Sequence, residues 1–162
     1  MRVIGIDPGL ALAGYGIVEG DAGQMKQVTY GVIATPSGVG LPQRLRLLYD
    51  GLSAVLHEWQ PAEIAVEELF FRRNVTTAIS VGQARGVLLL AAEQQGLPYF
   101  SYTPAQVKQA VSGNGKAEKA QMQQMVKLLL ALGTIPQPDD AADALAIAIC
   151  HLQHGGIRRA IS

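Results

Sequence analysis

RVIGIDPGLALAGYGIVEGDAG, residues 2–23, sets the architecture of this chain. Residues 2–7 (RVIGID) are short, apolar and β-branched, and they stop at Pro8-Gly9, a pair that marks a turn. Residues 13–19 (AGYGIVE) read as a second strand and 20–23 (GDAG) as the next turn. Residues 25–35 make a third strand, stopped by Pro36. Three strands joined by short turns suggest an antiparallel meander.

Beyond the meander the period changes. Apolar residues at 41, 45, 48, 52, 55, 56 and 59 have helical spacing and one buried face, and Gln60-Pro61 ends that helix. Residues 62–67 (AEIAVE) read as a fourth strand. Asn74 can cap a helix that runs to about 95, with Gly96 as its stop. Residues 97–102 read as a short fifth strand. Helices follow over 104–111, capped by Thr103, over 116–132, and over 140–154 after the stiff Pro136 and Pro138. This order predicts one α/β domain over 1–162: a mixed five-stranded sheet with helices on both faces.

Composition narrows the class. A single cysteine, Cys150, excludes an internal disulfide framework and fits a reducing cytoplasm; it completes an apolar helix face and reads as core. No consecutive apolar run reaches the roughly 18 residues of a membrane span, and no basic leader with an apolar stretch opens the chain. Net charge is zero, yet residues 70–130 hold seven bases against two acids. A neutral chain with its charge so segregated can still present a basic face to phosphates.

The acids are placed for chemistry. Asp7 ends the first strand and Glu67 the fourth. If those strands pair in parallel, both carboxylates leave one sheet edge roughly 5 Å apart, and ligands gather outside the carboxyl ends of strands. Glu67 and Glu68 alternate, so at most one points into such a site. Asp140 and Asp143 are three apart and share a helix face, while Asp139 after Pro138 reads as the N-cap. Magnesium takes oxygen ligands of this type together with water and substrate phosphate. Two such ions about 4 Å apart can serve an in-line phosphodiester displacement. The bland reading is a set of turn and cap residues.

Five segments together resemble one family: GIDPGLALAGYG (5–16), AVEELFFRRN (65–74), GQARGV (82–87), QVKQAVSGNGKAEKAQM (106–122) and DDAADALAIAI (139–149). In order and along nearly the whole chain they are similar to the RuvC resolvases. The resemblance implies a ribonuclease-H-like fold and a homodimer that makes two symmetric nicks in a four-way DNA junction during recombination and repair. It implies magnesium, with manganese as substitute, and a RuvA–RuvB branch-migration partner. Motif by motif it makes Asp7, Glu67, Asp140 and Asp143 the metal-binding, catalytic acids, with Asp139 left over as an extra one. Lys119 would serve the reaction, Lys108 and Lys116 the DNA. Phe70 would stack on an unpaired base; Arg72 and Arg73 read as ordinary phosphate contacts.

Other residues carry less. Gly113 and Gly115 flank Asn114 in a loop that can move toward a phosphate or be a plain turn. Gly82 and Gly86 share a helix face; their spacing alone reads as tight internal packing, and the family suggests a dimer contact. His151 and His154 are explained by the dipole at the end of the last helix. Rival functions are another ribonuclease-H-like nuclease acting on structured RNA or other branched DNA, and a non-catalytic junction-binding module. An actin-like ATPase would need a second phosphate loop and a second domain.

Overall fold

The computed structural model describes residues 1–69 and 75–161, with side chains as far as residue 155. β1 (Arg2–Asp7), β2 (Leu12–Gly20) and β3 (Met25–Ala34) form the antiparallel meander. α1 (Leu41–Trp59) leads to β4 (Glu63–Glu67), which lies parallel to β1, and α2 (Val75–Gln94) leads to β5 (Tyr99–Tyr102), parallel to β4. α3 (Pro104–Ser112), α4 (Lys119–Leu129) and α5 (Asp139–Ile161) complete the chain. The sheet order is β3-β2-β1-β4-β5, the mixed five-stranded sheet the sequence predicts.

Side chains alternate across the strands and so supply a core on each face. Ile4, Ile6, Ile17, Ile64 and Val66 meet Leu48, Leu52 and Leu56 of α1 and Ala84 and Leu88 of α2. Val3, Val18 and Ala65 meet the apolar face of α5 together with Val107, Val111 and Val126 of α3 and α4. Each fully buried Leu or Ile contributes roughly 1.5–3 kcal/mol, so both faces are held by burial and the sheet cannot peel from either layer cheaply.

α5 lies on the sheet closely enough to require glycine beneath it. A Cβ on Gly5 would stand 2.1 Å from the carbonyl oxygen of Ala144, and one on Gly14 would stand 2.0 Å from that of Asp140. These two glycines of the first motif therefore set how deeply the acid-bearing helix sits on β1 and β2.

Helix boundaries of α4 and α5 differ from the sequence expectation, and α4 also stops at Leu129 rather than at 132. α4 starts at Lys119 because residues 112–118 form a hydrogen-bonded turn: the amide of Lys116 donates to Asn114 Oδ1 (2.9 Å) and that of Ala117 to the Asn114 carbonyl (3.0 Å). Gly113 closes α3 in the left-handed region at φ 76°. α5 begins at Asp139, since the Pro138 carbonyl accepts from the amides of Ala141 (3.0 Å) and Ala142 (3.3 Å); Asp139 is thus in the first turn and is not the cap. α5 also continues through Gly155-Gly156 to Ile161. Glycine costs only about 1 kcal/mol in a helix, and here it does not end one.

That continuation places His151 in the middle of α5, fully buried, rather than at a helix terminus. Its Nδ1 meets the Tyr102 hydroxyl at 2.6 Å and its Nε2 meets Glu63 Oε2 at 2.5 Å. The polar partners, not the helix dipole, account for this histidine. Cys150 is buried as expected, and burial pushes its thiol up to about 12.

By length and composition α2 is apolar enough to cross a membrane. In the fold it lies against α1, with Ala84, Leu88, Ala91 and Ala92 buried. Val75, Ile79 and Leu90 on the same helix are exposed. Gly86 has open space where a Cβ would stand, and Gly82 only an ordinary contact with Leu69. Neither glycine is in the tight internal packing that their spacing suggests.

Candidate active site

β1 and β4 are neighbours with Ile6 opposite Val66, so Asp7 and Glu67 leave the sheet side by side at its carboxyl edge. Alternation turns both toward α5: Val3, Gly5 and Asp7 share that face on β1, as do Glu63, Ala65 and Glu67 on β4. α5 answers with Asp140 and Asp143 in its first turns. The spacing matches at both ends. Asp143 to His151 rises about 12 Å along a helix, and Glu67 to Glu63 about 13 Å along a strand. Glu63 therefore grips His151 at one end while Glu67 faces Asp143 at the other.

Burial, with repulsion between the acids second, raises the protonation of Asp7, Glu67 and Asp143. Asp7 is pushed up to about 8, first by burial and then by repulsion from Asp143, Glu67 and Asp140, and it shares a hydrogen bond with Asp143. Glu67 is raised by burial and by Asp143, with Lys108 opposing. Asp143 is raised by burial, while Lys119 and the shared hydrogen bond oppose. A carboxyl that holds a proton near neutrality beside three other acids occupies the place where a cation would serve better.

The donor set is all carboxylate oxygen, the chemistry of a hard divalent ion. No three His, Cys, Asp or Glu side chains among the described residues stand as a closed metal shell. Magnesium, which completes its shell with water and substrate phosphate, needs only one or two carboxylates from the protein. The residues fit such an ion on those terms.

The two candidate acids at the start of α5 have different partners. Asp139 is exposed and binds the Lys119 ammonium at 2.9 Å, and Gln123 Nε2 donates to its other oxygen at 3.1 Å. The hydrogen bond with Lys119 holds Asp139 below the usual carboxylate range and raises Lys119 in return. Asp140 belongs to the set that repels Asp7, and Asp139 does not. Asp143, raised first by burial, is raised further by repulsion from both acids.

The three lysines converge. Lys108 on α3, Lys116 on the turn and Lys119 at the head of α4 line one cavity whose rim includes Glu67 and Asp143. Phe70, Arg72, Arg73 and the cap Asn74 lie outside the described residues. Glu68 turns away from Glu67 and accepts from Ser101 Oγ at 3.3 Å. Thr35 is a supporting residue that pattern reading left as an ordinary strand end. Its hydroxyl donates to the Leu10 carbonyl (2.6 Å), accepts from Arg44 Nε (2.9 Å), and its amide donates to Ala11 (2.9 Å). These bonds pin the turn that follows Asp7.

A mixed five-stranded sheet with acids at the carboxyl edge of two neighbouring strands and on the helix crossing them defines the ribonuclease-H-like nucleases. Residues 3–151 match the family of the crossover junction endodeoxyribonuclease RuvC. The chain is 55% identical to that protein from Thermomicrobium roseum, over 95% of this chain and 94% of the relative. It is 59% identical to the one from Desulfitobacterium hafniense, over 93% and 92%. Among solved structures, T. thermophilus RuvC in complex with Holliday junction substrate is 38% identical with a TM-score of 0.93, covering 98% of this chain and 96% of that one. The chain belongs to the RuvC family of metal-dependent endodeoxyribonucleases.

Proposed function

We propose that this protein resolves four-way DNA junctions by two symmetric, metal-dependent nicks, one from each subunit of a homodimer. The observation that carries this reading is the meeting of Asp7, Glu67, Asp140 and Asp143 at one sheet edge under three lysines. The four acids are the residues that would hold magnesium or manganese, two ions per site. Bound there, the metal supplies charge neutralisation at the phosphate and an acidified water for in-line attack. The protein's own groups do the rest. Lys108 and Lys116 draw in the backbone phosphates. Lys119 brings a positive charge to the edge of the acid cluster, where negative charge builds as the P–O bond breaks. The proton shared by Asp7 and Asp143 must leave before both carboxylates can act as ligands.

The uncovered apolar side of α2, with Ile79, Leu90 and the open Gly86, supports the homodimer. A helix apolar all round is normally covered on all sides, and a two-fold substrate suits a two-fold protein. Phe70, Arg72 and Arg73 keep the DNA-facing roles their motif implies. Partnership with a RuvA–RuvB motor and residence in the cytoplasm complete this reading by family resemblance.

The test is incubation with a labelled synthetic four-way junction and matched linear duplex, with magnesium or with chelator. Paired nicks in the junction alone, dependent on metal, are expected. Equal cutting of any duplex or of RNA would move the protein to the broader nuclease class, and binding without cutting would make it a junction-binding module. Asp7→Asn should abolish cleavage and leave junction binding intact or tighter, since it removes a metal ligand and no phosphate contact.

A further inference from the structure

α5 meets the two halves of the sheet by different means. Over β1 and β2 the helix backbone lies on glycine: Gly5 stands against Ala144 and Ala148, Gly14 against Asp140, and Gly16 against Leu145. Of those four α5 residues, Leu145 alone carries a large apolar side chain. Such a surface sets how close the helix sits. It offers few interlocking side chains to stop a slide along the helix axis, and interlocking is what selects one arrangement among similar ones. β4 and β5 contain no glycine. There the link to α5 is a network of polar side chains.

Among the described residues, only His151 and Thr35 are buried polar ones. A carboxylate only accepts, so His151 Nε2 donates to Glu63 Oε2 at 2.5 Å, while Nδ1 meets the Tyr102 hydroxyl at 2.6 Å. The Phe100 ring stands 4.6 Å from the imidazole, centroid to centroid. One helix residue thus holds both β4 and β5. A buried imidazole carries a desolvation cost that a leucine would not. What a satisfied polar network adds is a unique arrangement, because its hydrogen bonds tolerate little displacement.

Resting on the nuclease reading above, we infer that Glu63, His151 and Tyr102 are positioning residues of the active site, which set the slide of α5 along β4 and so hold Asp143 against Glu67. Glu63 and Glu67 lie on one strand, His151 and Asp143 on one helix. Over about 12 Å neither element stretches appreciably, so a shift at His151 reappears at Asp143. Tyr102 closes the triangle, since it is the partner of Glu67 in the β4–β5 register. Magnesium demands near-ideal octahedral geometry with ligands at about 2.0–2.1 Å, and a working site tolerates errors of only about 0.5 Å. The glycine contacts hold α5 to the strand of Asp7, and the polar network holds it to the strand of Glu67.

The experiment titrates magnesium into the protein by calorimetry and, in parallel, follows junction cleavage against magnesium concentration. Tyr102→Phe combined with His151→Leu replaces the network by apolar side chains, a change that folded proteins commonly accept. Its magnesium affinity should fall about tenfold or more, and half-saturation of cleavage should rise by the same factor, while junction binding in chelator stays at the parental level. Glu63→Ala, at the partly exposed edge of the network, should show the same shift and serves if the double variant fails to fold. Glu63→Gln, which still accepts from Nε2, should restore most of the affinity. A Glu63→Gln loss as large as that of Glu63→Ala overturns the inference, because charge and not register would then be at work. Variants that bind magnesium as the parent does, and lose activity only in step with their folded fraction, overturn it too and spare the nuclease. Affinity that falls as expected, in a protein that never cuts DNA, upholds the positioning role and overturns the nuclease.

Discussion

Between about pH 4 and pH 8, burial and neighbouring acids favour a proton on Asp7 in the folded protein that the unfolded chain releases. Its folded pKa of about 8 stands far above the ordinary 3.8. A carboxyl raised in this way stabilises the fold fully below its unfolded value and loses that contribution as pH rises through about 8. The metal-free protein should therefore show a falling Tm from about pH 5 to pH 9. Magnesium, added at the high end, should restore the loss, and Asp7→Asn should remove this group's share of the slope. A metal-free Tm that climbs over that range would contradict the crowded-acid picture. The doubled acid supplies a second test. Asp140→Asn should abolish cleavage, whereas Asp139→Asn should cost no more than about fivefold, the worth of an exposed ion pair. Asp7 and Glu67 were legible because each ends a strand and strands of one sheet end together. The partner of Asp139 was not, because Lys119 lies twenty residues away on a different helix. Glu63 and His151, separated by 88 positions, gave no local signal either.

At the scale of elements, periodicity carried the succession of strands and helices along the chain, the meander and α1 with its bounds, since alternation and the 41–59 spacing are local properties. The ends of α4 and α5 needed tertiary information. Asn114 diverts the chain before α4 can begin, and Gly155-Gly156 fails to stop a helix with so much of its length packed on the sheet. The glycines of the first motif turned out to serve this packing as much as the turn. Gly5→Ala would press a methyl group onto the Ala144 carbonyl. It should lower stability by about 1–3 kcal/mol as an overpacking change, read as a lower urea midpoint with an unchanged slope. It should also reduce cleavage, because lifting α5 carries Asp140 and Asp143 away from Asp7. A Gly5→Ala protein with parental stability and rate would show that α5 tolerates a different height.

For the whole molecule, the exposed side of α2 is an apolar surface that bears on assembly. Leu90, half exposed on that helix, is the position at which to ask whether a second copy covers it. Leu90→Lys should shift sedimentation toward monomer and slow the second nick relative to the first, while the fold, which buries other residues of α2, stays intact. Equal dimer content in parent and variant would point to another face. α5, in contrast, touches β1, β2, β3, β4, α3 and α4, and brings two of the four acids with it. The amides of its buried stretch, residues 141–152, should exchange with solvent only when the entire domain opens, while those of α4, which buries Val126 alone, should exchange through local fluctuations. On this layout no partly unfolded form of the protein should still cut DNA. Under heat or denaturant the nuclease would switch off together with the fold, and an overstressed cell would hold idle chains rather than loosely folded ones able to nick its chromosome.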